Sequence, residues 1–214
     1  MEIILRQNKQ LFVALMLVAF IPSSFAQVKH HVAKTRPHTS LSPLQEFKNL
    51  AAQANVTFSF PDGFKEIKAP NNEYFSFDYA IELPGKGFEI WFRVKSEKAN
   101  WASYMRAKNN QLTNPDSLYI AASRAEAIAL SGNKNYLVRN IPQHALTGYN
   151  ADAGKSYLLS LLDMPVTKHY KYALLITLQK NHIGNIVAVC FTNEKGPDFF
   201  KNIHLAGNCL KFNP

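Results

Sequence analysis

Ten consecutive residues, Leu146-Thr147-Gly148-Tyr149-Asn150-Ala151-Asp152-Ala153-Gly154-Lys155, gather a phenol, an amide, a carboxylate and an amine, with His144 just upstream. In such a segment His144 or Asp152 could serve as a general base, taking a proton from a group within hydrogen-bond reach. The same composition also suits a turn-rich connector, in which Asn150 and Asp152 hydrogen-bond to nearby backbone. No Gly-x-Ser-x-Gly elbow, HExxH helix or CxxC pair occurs in the chain, so no residue is assigned a catalytic role and no metal site is expected. Gly132, Gly148 and Gly154 stand apart and form no phosphate loop, and no cofactor is implied.

A second constellation comes from strand pairing. Phe75, Phe77, Tyr79, Ile81 and Leu83 alternate with polar or small residues, Pro84-Gly85-Lys86-Gly87 turns the chain, and Phe88, Ile90, Phe92 and Val94 alternate again. This predicts a β-hairpin with one buried and one wet face. With the turn at 84–87, Leu83 opposes Phe88, Ile81 opposes Ile90, Tyr79 opposes Phe92 and Phe77 opposes Val94, so the inner face is apolar throughout. The same register puts Asp78 opposite Arg93, Ala80 opposite Trp91 and Glu82 opposite Glu89 on the outer face. A tryptophan beside two facing carboxylates either lies under a helix, with a lysine such as Lys86 between the glutamates, or forms a binding patch. In the patch, Trp91 is the anchor and Glu82, Glu89 and Arg93 are its charged surround.

The two cysteines, Cys190 and Cys209, either pair as a disulfide in an oxidising compartment or lie buried as free thiols. Asp116-Ser117-Leu118 matches an O-glycosylation tripeptide of exported bacterial proteins, and Asn55-Val56-Thr57 is a formal N-glycosylation site.

The elements that position these residues read as follows. Ser42 caps a helix with Pro43 in its first turn and Gln45 as the capping-box partner, and Leu44, Phe47, Leu50, Ala51 and Ala54 form its core stripe. Val56–Phe60 is a strand ended by the turn Pro61-Asp62-Gly63. Residues 100–131 are helical, with a fresh start at Asn114-Pro115-Asp116 and a stop at Ser131-Gly132. Tyr136–Arg139 and Ser156–Leu162 are strands. Tyr172–Gln179 pairs with Ile186–Thr192, Gly196-Pro197-Asp198 opens a last helix over Phe199–Leu205, and Cys209–Phe212 closes in extended form. The expected fold class is α+β, an antiparallel β-sheet with helices packed on its faces.

Arg6 and Lys9, the unbroken apolar run Leu11–Ile21, and Ser24-Phe25-Ala26 form the three-part pattern of a signal peptide cleaved after Ala26. That run has 11 residues, too few to cross a membrane as a helix. Removing 26 of the 214 residues leaves 188, enough for one domain over 40–214 preceded by a basic tail, 27–39. The tail holds His30, His31 and His38 and reads as a solvated arm or a metal-binding segment. Without Glu2, Arg6 and Lys9 the 24 basic and 15 acidic residues become 22 and 14, a net +8. Outside the cytosol such a charge suits an anionic envelope component or an acidic protein face rather than nucleic acid.

Val56-Thr57-Phe58-Ser59-Phe60-Pro61-Asp62-Gly63-Phe64 resembles the opening of PsbP-like domains, and Phe199–Ile203 followed by Cys209-Leu210-Lys211-Phe212 resembles their closing helix and strand. The resemblance implies an α/β/α sandwich and a non-catalytic role in binding or stabilising assemblies. The expected function is thus an exported, secreted or periplasmic, non-enzymatic binding or assembly protein with a protein or anionic envelope partner. A small hydrolase or lipid-acting enzyme built on the 144–155 loop is the alternative, and a carrier of an apolar ligand between sheet and helices is a third reading.

Overall fold

The computed structural model describes residues 41–107, 112–132, 136–207 and 209–214. The expected leader, its expected cleavage site and the histidine-bearing segment lie outside them. Helix α1, Pro43–Gln53, begins as its sequence requires: Ser42 Oγ accepts from the Gln45 backbone N–H at 3.3 Å. The Gln45 side chain donates to Asn49 at 3.0 Å instead of returning to Ser42, so only half of the capping box forms. Phe47, Ala51 and Ala54 are buried, and Phe47 stacks on Tyr79 with ring centroids 4.8 Å apart.

Strand β1 (Val56–Phe58) pairs with β9 (Leu210–Phe212) in a two-stranded antiparallel sheet. The main sheet has seven strands in the order β2-β3-β4-β8-β7-β6-β5, every pair antiparallel. They are β2 (Lys65–Ile67), β3 (Tyr79–Leu83), β4 (Phe88–Ser96), β5 (Tyr136–Asn140), β6 (Ala153–Ser160), β7 (Tyr172–Lys180) and β8 (Gly184–Thr192). Helices α2 (Lys98–Arg106), α3 (Leu118–Ser131), α4 (Gln143–Gly148) and α5 (Pro197–Ala206) complete an α+β fold. Ser40–Pro214 is one compact unit.

From Tyr79 to Leu83 the hairpin register follows the expectation: Leu83 faces Phe88, Ile81 faces Ile90, Tyr79 faces Phe92, Ala80 faces Trp91 and Glu82 faces Glu89. Ahead of Tyr79 it does not: Phe77 is not paired with Val94, and Phe75 and Phe77 pack with Trp91 on the opposite face from Tyr79 and Ile81. The wet outer face does not follow. Trp91 is only 1 % exposed and Glu89 only 3 %. A second core lies on that face, in which Trp91 meets Phe77 and Phe191 at ring-centroid distances of 5.4 and 4.1 Å, while Ala127 and Leu130 of α3 pack over the neighbouring strands. Both faces of the central strands are therefore covered. This agrees with β8, where Ile186, Val187, Val189, Cys190 and Phe191 are all buried regardless of parity.

Three boundaries also move. The helical stretch divides: α2 ends at Arg106, and a 3-10 turn at Pro115–Ser117, capped by Asn114, leads into α3. The strand expected over 156–162 starts at Ala153. The 144–155 connector is instead a short helix, a turn and the start of β6. Gly154 of β6 pairs with Leu178 of β7, and the position requires glycine because a Cβ there would lie 2.8 Å from the Thr177 carbonyl oxygen.

Replacing Trp91 by alanine removes a fully enclosed indole from the second core. Urea unfolding should show a loss of about 3–5 kcal/mol. A loss near zero would mean that the side chain faces water.

Candidate functional site

The sequence-derived patch residues are drawn inward. Glu89 Oε1 accepts from Lys168 Nζ at 2.6 Å and from the Tyr170 hydroxyl at 3.2 Å, and its Oε2 accepts from the Trp91 indole at 3.0 Å. The lysine that neutralises it is thus Lys168, held in a left-handed turn at φ 52°, and not Lys86. Burial, with the charges of Glu89 and Glu82 nearby, pushes the Tyr170 phenol up. Arg93 pairs with Glu126 of α3 at 2.5 Å instead of with Asp78, whose carboxylate accepts from the Val94 N–H at 2.8 Å. Glu89, Trp91 and Arg93 thus form no open anchor and instead tie β4 to the second core, while Glu82, half-buried on β3 opposite Glu89, joins none of these contacts.

The 144–155 residues are likewise spoken for. His144 is exposed, and no hydrogen bond joins it to Asp152 or Tyr149. Asp152 accepts from the Asn181 N–H at 2.8 Å and lies 3.6 Å from Lys180, which ties it to the β7–β8 turn. Lys155 donates to Asn140 at 2.7 Å. Asn150, at φ 52°, donates to the Phe212 carbonyl at 2.9 Å, and the Phe212 N–H donates to the Tyr149 carbonyl at 3.1 Å. These bonds clamp β9 against the α4–β6 turn, a use of the polar residues close to the capping role expected of a connector. Ser117 is exposed, its hydroxyl donating to the Asn114 carbonyl at 2.7 Å. Asp116 beside it accepts from Trp101, Gln179 and the His182 N–H.

Cys190 and Cys209 are buried free thiols. With Tyr149 they line an apolar cavity of about 50 Å³ between the sheet and α5, far below the ~300–1,000 Å³ of ordinary ligand sites. Burial pushes all three groups up, and at Tyr149 the two thiols add to the effect.

The open surface lies at the end of the sheet, where pattern reading placed no site. Among the described residues β5 is a terminal strand, paired only with β6. Leu137 and Val138 are 66 % and 49 % exposed. Leu137, Leu158 and Leu174 stand in one cross-strand row, and with Arg139, Ser156 and Phe200 of α5 they line an open groove of about 300 Å³. The Ile141 N–H donates to the Gly154 carbonyl at 3.0 Å. Antiparallel alternation then turns the N–H and C=O groups of Tyr136, Val138 and Asn140 away from β6. Among the described residues this edge thus presents unpaired backbone groups beside an apolar groove. The signal in the sequence was a short strand with apolar residues on both parities at 136–138.

No family model, no curated protein and no solved structure matches this chain.

The buried thiols have a measurable consequence for the reduced protein. In the unfolded chain they ionise near their ordinary value of 9, whereas folding holds Cys209 protonated to about 12. Each folded pKa is raised, so stability is complete below pH 9 and falls as pH rises. The slope approaches about 1.4 kcal/mol per pH unit for each thiol. Urea titrations at pH 8 and 10 should show this loss, and Cys209→Ser should reduce it.

Proposed function

We propose that this chain is an exported, non-enzymatic binding or assembly protein that takes an extended segment of a partner protein as an added strand along β5. The observation that carries the reading is the terminal strand with Leu137 and Val138 turned to solvent beside the Leu158–Leu174–Phe200 groove. In this mode the backbone supplies register, while alternate side chains enter the groove and give selectivity. Arg139 lines the same groove and has no carboxylate partner among the described residues. With the net charge of +8 expected after loss of the leader, it favours a segment with an apolar residue facing Leu137 and an acidic one facing Arg139. Export rests on the three-part pattern of residues 1–26. The non-catalytic role implied by the PsbP-like resemblance points the same way.

A hydrolase reading needs His144 within reach of Asp152 or Tyr149, and an apolar-ligand carrier needs a far larger enclosed cavity. Neither has comparable support in the geometry.

A fluorescein-labelled octapeptide of alternating leucine and aspartate on one face tests the reading by fluorescence anisotropy. Binding should weaken at least tenfold in Val138→Pro, which removes an outward N–H, and in Leu137→Lys, while Met105→Lys on exposed α2 leaves it unchanged. Equal affinity in all four proteins would reject the β5 edge. Binding of anionic phospholipid vesicles, unaltered by the β5 variants, would point instead to an anionic envelope component.

A further inference from the structure

Cys190 and Cys209 are the nucleophilic groups that the β5 edge does not use. Cys190 stands in the middle of β8, between Ile90 of β4 and Leu174 of β7. Cys209 sits in the turn between α5 and β9, where its N–H donates to the Ala206 carbonyl at 3.1 Å and its carbonyl accepts from the Ser59 N–H at 2.7 Å. Both line the same small cavity beside Tyr149, Ala206 and Gly207. Each is nearly inaccessible, at 3 % and 8 % exposed.

We propose that the two thiols form a folding-gated pair: an intrachain disulfide can form between them only while the α5–β9 segment is undocked, and docking then encloses the pair in whichever redox state it has reached. The chemistry is ordinary thiol–disulfide exchange with an oxidised low-molecular-weight or protein disulfide. One cysteine thiolate attacks a sulfur of that disulfide, forms a mixed disulfide and releases one thiolate. The second cysteine thiolate attacks the protein-side sulfur, closes the Cys190–Cys209 bond and releases the other. Two protein thiols are oxidised, and one external disulfide is reduced to two thiols.

The gating follows from burial. Exchange needs a thiolate with access to its target. In the docked fold both thiols are enclosed by apolar neighbours and pushed up from their ordinary value, so the thiolate population at neutral pH is small. In the open chain both are ordinary thiols. A closed disulfide would tie the α5–β9 turn to the central strand β8 and so hold the β1–β9 pair against the rest of the fold. This inference stands apart from the β5 reading.

The test compares two routes into the same glutathione redox buffer at pH 8. Reduced protein refolded from urea in that buffer should lose 2 Da, leave no thiol alkylatable after denaturation, and gain resistance to urea. Reduced protein already folded should stay unchanged over the same interval. Cys190→Ser and Cys209→Ser should each refold without the mass loss. Two alkylatable thiols after oxidative refolding of a natively folded product would overturn the pairing. Equally fast oxidation of the folded protein would overturn the gating.

Discussion

Ala80, Trp91, Val189, Leu175, Tyr157 and Val138 stand side by side across six strands of one face of the sheet. The first five are buried and the last is half-exposed. On the other face, Ile81, Ile90, Cys190, Leu174, Leu158 and Leu137 make the matching row. The cover over both faces is what the rest of the molecule depends on. Helix α1, the β1–β9 pair and α5 close one side. Helix α3 and the segments around Phe75–Phe77 and Tyr170 close the other. Both rows lose their cover at the β5 end, and there the apolar surface meets water.

Double coverage also explains why polar residues that looked free are occupied. A glutamate carried into the second core at position 89 must bring donors with it, since an unpaired buried carboxylate costs several kcal/mol. Lys168, Tyr170 and the Trp91 indole supply them. Arg93 is satisfied in the same way by Glu126. In the 144–155 segment Asn150 serves the C-terminal strand, because β9 lies beside the α4–β6 turn and the Phe212 carbonyl needs a donor there, while Asp152 and Lys155 serve the β7–β8 turn and Asn140.

Much of this was legible in the residues. The hairpin register followed from period-two alternation around a four-residue turn, the α1 cap from Ser42-Pro43, and the final helix from Gly196-Pro197. What alternation could not convey was the cover on the outer face. Charged residues at 82, 89 and 93 read as wet, whereas the contrary signal sat in another strand, the two-sided apolar run of β8. Gly154 read as a loop glycine because its reason, the nearby Thr177 carbonyl, lies 23 positions away in the chain. The exposed β5 edge was hidden for a similar reason: which strand is terminal is set by topology, and Phe200 joins Leu137 only through the folded sheet.

The central claim is that β5 receives a strand, and the most direct measurement is residue-resolved amide hydrogen exchange on the protein with and without the alternating Leu/Asp octapeptide. Strand addition predicts new protection at Tyr136, Val138 and Asn140, whose N–H groups face outward, with little change at Leu137 and Arg139, which β6 already protects. Saturating peptide with no new protection on the alternate residues of β5, or with protection only at another face, would contradict the account.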